Sequence, residues 1–211
     1  MTEKTMNLKT KTTNAGFTLV ELMVVIAIIA AIIALVLPTL GRSRDTAKAV
    51  ECQVNLKEIY GSLELYKTER NHYPNDSGIR FFLAPWNKGT LEKDPKYAKI
   101  YVCPGDENLL QMIEGDFAIV AEELEDWDHF SSDFTSYAGR NQKDFPINFN
   151  ARASQLIVSD DDEMTLNHPN LVNCLYMDGS KEKILLEELD GEEFLVGEDS
   201  PLELFEVLTN D

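Results

Sequence analysis

Cations are scarce in this chain, and they run out towards its end. There are 19 Lys and Arg against 37 Asp and Glu, a formal net charge of −18. The deficit is uneven: residues 1–104 carry 14 basic and 10 acidic residues, whereas residues 105–211 carry 5 basic and 27 acidic. A strongly acidic second half excludes nucleic acid as a partner, because phosphate-backbone binding needs a basic face. It suits a solvated head that repels its like or meets cations.

Other absences narrow the field further. No nucleophile elbow, phosphate loop or dinucleotide fingerprint is present, so nothing argues for an enzyme. The three histidines and three cysteines are dispersed and lack the short pair spacings of zinc sites. The EF-hand pattern is missing. There are no repeats at solenoid periods and no Gly/Ser or Pro-rich linker. An odd cysteine count leaves at least one thiol unpaired within the chain.

What the sequence does have is one long apolar run. From Phe17 to Leu37 there are 21 residues with a single charge, Glu21. At ~1.5 Å rise per residue, about 20 apolar residues cross a ~30 Å hydrocarbon core. In lipid the backbone must satisfy itself, so the run is a helix. Lys4, Lys9 and Lys11 precede it and mark the N-terminal side as cytoplasmic. A single-pass inner-membrane protein with its bulk outside is the expected topology. Glu21 is the anomaly, since an acid inside such a segment costs roughly 2.5–3.5 kcal/mol by insertion scales. It either snorkels to the nearby interface or seeks a cation on a neighbouring chain.

Residues 16–21, Gly16-Phe17-Thr18-Leu19-Val20-Glu21, resemble the processing site of type IV pilins and type II secretion pseudopilins. The likeness covers the polar basic leader 1–15, Gly16, Phe17, Glu21 and Pro38, where those proteins kink the helix. It implies cleavage between Gly16 and Phe17 by a prepilin peptidase and methylation of the new Phe17 amine. It also implies that Glu21 pairs with the Phe17 amine of an adjacent copy. Pairing relieves the cost of a lone carboxylate in lipid. The implied partners are copies of itself, other pilin-like subunits and an inner-membrane assembly platform. The implied product is a secretion pseudopilus or a surface pilus.

Beyond Pro38 the helix is expected to continue to about Arg70, because Cys52, Leu56, Ile59, Leu63 and Tyr66 fall on one face. Asn71 and Pro74 end it. In residues 75–99, FFLAPW is a short apolar patch packed over the helix end, and the rest reads as loop. Ile100–Pro104 reads as a short strand. Residues 109–130 are either a helix broken at Gly115 or, preferably, a strand at Phe117–Ala121. Further strands are expected at 136–141, 155–159, 171–177 and 181–189, the last two joined by an Asp178-Gly179 turn needing positive φ. Ser200-Pro201-Leu202-Glu203 has capping-box spacing and predicts a short C-terminal helix. The expected fold is α+β and pilin-like, one long helix on a small antiparallel sheet. Its parts are a leader (1–16), a transmembrane helix (17–38), an amphipathic extension (39–72) and an acidic head (73–211).

Three further groups of residues invite a reading. Cys52 and Cys103 form the preferred disulfide, both lying at element edges outside the cytoplasm; it would contribute roughly 4 kcal/mol in the chain-entropy model. Cys174 reads as a buried thiol. The acidic run Asp160, Asp161, Asp162 is either a solvated loop or a calcium site, by analogy with the C-terminal loop of major pseudopilins. His168, with nine residues between it and Asp178-Gly179, resembles the His-X9-Asp-Gly motif of a large pseudopilin-like family, although Pro169-Asn170 replaces that family's Gly-rich approach. His168 then either orders the loop beside the hairpin, aiding processing or assembly, or merely caps a loop. Two rival functions remain: an anchored binding module that never polymerises, and an anchored hydrolase, for which no partnered nucleophile is evident.

Overall fold

The elements follow from where apolar side chains find cover. In a computed structural model, residues 17–115, 127, 135–147, 155–161, 166–185, 187, 196–197, 200 and 202–209 are described. Their contacts divide the chain into two units, Met1–Arg42 and Ser43–Asp211.

Helix α1 runs from Leu19 to Arg70, 52 residues. It starts within two residues of the expected boundary and ends where Asn71 turns left-handed at φ 63°. Its first part, in the N-terminal unit, is apolar all round and exposed, from Phe17 to Leu40. An 18-residue window there has mean hydropathy 3.1. A helix of that length and composition is sufficient to cross a membrane.

The second unit uses the remainder of α1 as one wall of its core. Cys52, Leu56, Ile59 and Leu63 are fully buried, and Tyr66 nearly so, as the 4-3-4-3 spacing predicts. Against this stripe pack α2 (Ile79–Asn87) and the segment around Tyr101–Cys103. A short helix α3 (Pro95–Ala98) precedes that segment. Helix α4 (Glu107–Gly115) is tied to α1 by Lys48 Nζ and Glu107 Oε1 at 2.6 Å.

A five-stranded antiparallel sheet completes the head. Its strands are β1 (Ala138–Arg140), β2 (Leu156–Ser159), β3 (Leu171–Tyr176), β4 (Lys181–Leu185) and β5 (Leu208–Thr209), in the order β4-β3-β2-β1-β5. Side chains alternate between its faces with period two. Tyr137, Ile157 and Leu175 join the cluster under α1, whereas Ala138, Leu156, Val172 and Cys174 join Phe205 and Leu208 on the other side. The register shifts between Leu156 and Val158. This irregularity puts both Ile157 and Val158 in the first cluster, as an inserted residue in a ladder does. The fold is thus α+β and pilin-like, as expected.

Several local expectations are corrected. The apolar patch FFLAPW packs on the core as expected but does so as a helix, which the reading of its surroundings as loop did not foresee: Ile79, Phe82, Leu83 and Trp86 lie at helical spacing and are buried. Residues 99–101 form a 3₁₀ turn instead of a strand. Side chains satisfy that backbone where a strand ladder would have done so. Thr135 Oγ1 donates to Tyr101 O, Asn55 Nδ2 to Val102 O, and Cys103 N donates to Ser136 Oγ. Residues 107–115 are helical, the alternative for that stretch, and the strand preferred at 117–121 lies outside the described residues. The C-terminal helix is instead a series of turns, because Phe205 is drawn into the second cluster and Leu208–Thr209 pairs with β1. At the other edge, the Asp178-Gly179 turn forms as predicted, with Gly179 at φ 78°.

Candidate functional site

The first site is the start of α1. Gly16 lies outside the described residues, and Phe17 is exposed. Thr18 caps the helix: its amide and its hydroxyl donate to Glu21 Oε2 at 2.8 and 2.7 Å, and the Glu21 amide donates back to Thr18 Oγ1 at 3.2 Å. This reciprocal pattern is a capping box, which satisfies donors that a helix start leaves orphaned. The Thr-x-x-Glu spacing is visible in the sequence, yet the membrane reading of Glu21 passes over it. Position 38 lies within α1, helical on both sides. Thr39 Oγ1 donates to Val36 O at 2.7 Å, a side-chain bond back to the preceding turn of the helix.

The second site is buried in the head, where four segments converge. α1 brings Cys52, the stretch after the 3₁₀ turn brings Cys103, the end of β2 brings Asp160, and the loop before β3 brings His168. All four are buried to within 1% exposure. Cys103 Sγ lies 3.0 Å from His168 Nε2, which lies 3.3 Å from Asp160 Oδ2. The Cys52 thiol donates to Asp160 Oδ2 at 3.2 Å and lies 3.3 Å from Tyr137 Oη. Asn173 fixes Asp160: its amide donates to Oδ1 at 2.6 Å and its Nδ2 to Oδ2. Asn173 in turn accepts from Gln53 on α1. The Gly105 amide donates to Cys103 Sγ at 3.3 Å.

The electrostatics of this cluster follow from its contacts. Hydrogen bonding from Cys52, and then from His168, holds the Cys103 thiol down at about 7 against the effect of burial. Burial pushes Cys52 well above the usual thiol range. For His168 burial acts downward, but hydrogen bonds to Asp160 and Cys103 prevail and raise it to about 10. Opposite charges in a desolvated place shift each other in this way.

Cys52 and Cys103, the preferred disulfide pair, are therefore neighbours, present here as free thiols whose sulfurs lie within 4.8 Å. Cys174 is a buried thiol on the sheet's other side. The surroundings of Asp160 do not fit calcium, which wants six to eight oxygens at a flexible loop. Asp160 faces two sulfurs and an imidazole, and Asp161 Oδ1 accepts from Asn167 N. Asp162 lies outside the described residues. His168 and Asp178 serve different places. The Asp178 carboxylate accepts from Ser180 in the hairpin turn, where Gly179 sits against the Tyr60 ring.

Comparison with known proteins bears on the first site. Residues 11–37 match the family described as the prokaryotic N-terminal methylation motif. The chain is 38% identical over 92 residues to type II secretion system core protein G of Pseudomonas aeruginosa, covering 38% of this chain and 65% of that one. It is 30% identical over 82 residues to the same-named protein of Pectobacterium carotovorum, covering 38% and 51% respectively. It is 37% identical over 60 residues to type IV major pilin protein PilA of Myxococcus xanthus, covering 28% and 27%. The chain thus spans between about two fifths and two thirds of the core protein G chains it matches. No solved structure matches.

Its long apolar helix and small antiparallel sheet give the chain a pilin-like fold, and its N-terminal segment is of the prepilin type. More particularly, it is homologous to the type II secretion pseudopilin core protein G and to type IV pilin.

Proposed function

We propose that the chain is a structural subunit of a helical filament, a type II secretion pseudopilus or a type IV pilus. A prepilin peptidase removes residues 1–16 and methylates the Phe17 amine. Until assembly the subunit sits in the inner membrane as a single pass, N-terminus inside and acidic head outside. An assembly platform then draws it into a filament. The apolar parts of α1 form the filament core, and the heads form its surface. Pro38 allows the helix to bend there as it leaves lipid for its neighbours. Such head-to-tail contacts do not close, and so they generate an open helical array.

One observation carries this reading. The apolar side chains of α1 from Phe17 to Leu40 are exposed all round, whereas those after Cys52 are buried along one stripe. An apolar surface of that extent needs cover. Lipid supplies it first, and copies of the same helix supply it later. Glu21 sets the register by pairing with the Phe17 amine of the adjacent copy.

The test is Glu21→Ala in cells that express the chain. Membrane insertion and cleavage persist while sedimentable filaments are lost. Filaments formed normally by Glu21→Ala would contradict the role of Glu21. A wild-type chain that never polymerises would be an anchored binding module instead.

A further inference from the structure

We propose that Cys52, Cys103, Asp160 and His168 are the four ligands of a structural zinc-class divalent metal ion in the head. The proposal does not rest on the filament reading.

Their donor atoms lie within 4.8 Å of one another, and the side chains come from four separate segments. The arrangement is poorly explained by hydrogen bonds alone. Cys103 Sγ and Asp160 Oδ2 both address one nitrogen, His168 Nε2, which holds at most one proton. A Cys–His–Asp catalytic relay does not fit either. In such a relay the acid orients the other ring nitrogen and the sulfur faces substrate. Here the acid shares the sulfur's nitrogen, and every member is buried. Four donors directed at a common interior point are what a tetrahedral cation requires.

Distances and chemistry agree with that reading. With Zn–S at ~2.3 Å and Zn–N or Zn–O at ~2.0–2.1 Å, a tetrahedral site has ligand–ligand edges of about 3.3–3.8 Å. Of the three edges described above, 3.0, 3.2 and 3.3 Å, the last already fits and the first two open by roughly 0.3–0.6 Å, while the other edges, all within 4.8 Å, close by about 1 Å at most. Two sulfurs, an imidazole and one carboxylate oxygen make a borderline-soft set suited to zinc and unsuited to calcium or magnesium. Three of the four ligands are also held from behind. Gly105 N serves Cys103, Tyr137 Oη serves Cys52, and Asn173 holds Asp160, the outer support that metal ligands usually have. Binding is coordination without redox change. The two thiol protons and any proton on Nε2 pass to solvent as the metal–ligand bonds form. All four positions are filled by protein, so the ion is structural. It staples α1, through Cys52, to the sheet, through Asp160.

The test uses the full-length protein extracted in detergent under reducing, chelator-free conditions. Elemental analysis should find about one zinc per chain. Exchange with cobalt should give the ligand-field band of a tetrahedral site and a thiolate charge-transfer band. Cys103→Ser should abolish both signals, and Cys174→Ser, at a buried thiol outside the cluster, should keep them. Asn173→Ala should weaken zinc ~10–100-fold, as loss of outer support does. The wild-type readings do not depend on any variant folding. Folded, reduced wild-type protein that retains neither zinc nor cobalt in stoichiometric amount would overturn the proposal. So would isolation of the native protein with Cys52 and Cys103 joined as a disulfide.

Discussion

Thr18 and Glu21 hold each other at the first turn of α1, the threonine donating twice to one carboxylate oxygen and receiving the Glu21 amide in return. A single chain therefore already partners one oxygen of the Glu21 carboxylate. In the proposed filament the amine of an adjacent copy would have to compete with Thr18 for Glu21. On that proposal the acid is a two-position element, capped within the monomer and paired across subunits in the filament.

The two roles of Glu21 can be separated by substitution. Glutamine still accepts the Thr18 bonds of a capping box but carries no charge. Glu21→Gln should keep helix initiation, membrane insertion and cleavage, and lose filaments as fully as Glu21→Ala does. Electron microscopy of sheared surface material and a protease-protection assay read the two properties. Filaments from Glu21→Gln would mean that the acid acts only as a cap.

Thr18→Ala removes the cap and leaves the charge. Loss of an N-cap costs roughly 1 kcal/mol of helix stability. Amide exchange at residues 18–21 should accelerate in detergent, while assembly continues because the carboxylate is released to its partner. A loss of filaments in Thr18→Ala would contradict the competition between cap and amine.

The buried stripe of α1 carries the head's stability. Leu56→Ala or Leu63→Ala, each at a fully buried position, should cost ~2–5 kcal/mol. Val54→Ala, at an exposed position of the same helix, should change stability by less than about 0.5 kcal/mol. Denaturation of the full chain in detergent, followed by the fluorescence of Trp86 and Trp127, measures all three. Equal effects at positions 54 and 56 would refute the stripe.

The β3–β4 turn should not tolerate a side chain at Gly179. Its φ of 78° lies in the left-handed region, and an added Cβ would stand 2.8 Å from the Tyr60 ring. Gly179→Ala should destabilise the head by more than about 1 kcal/mol. Adding Tyr60→Ala should not restore wild-type stability, because the backbone strain remains and the ring's packing is lost.

Legibility in the sequence tracked contact range. The run Phe17–Leu37, the stripe Cys52 to Tyr66 and the Asp178-Gly179 turn are local patterns, each fixed by the period of one element, and the structure contains all three. The strand expected at 100–104 failed because its backbone bonds go to the side chains of Thr135, Ser136 and Asn55, which no local period announces. FFLAPW was legible in principle, since Ile79, Phe82, Leu83 and Trp86 have helical spacing, but Pro85 and the polar flanks hid it. The buried cluster was beyond reach. Cys52 and Asp160 are 108 residues apart and Cys103 and His168 are 65 apart, and only the packing of α1, the stretch after the 3₁₀ turn and the sheet with its loops brings these pairs together.

The central claim is that α1 is a processed, methylated rod that packs against copies of itself. Mass spectrometry of the protein isolated from its own cells tests it most directly. The account predicts a chain that begins at Phe17 and carries one methyl group on its α-amine. A chain that still begins at Met1, with its start unmodified, would contradict it.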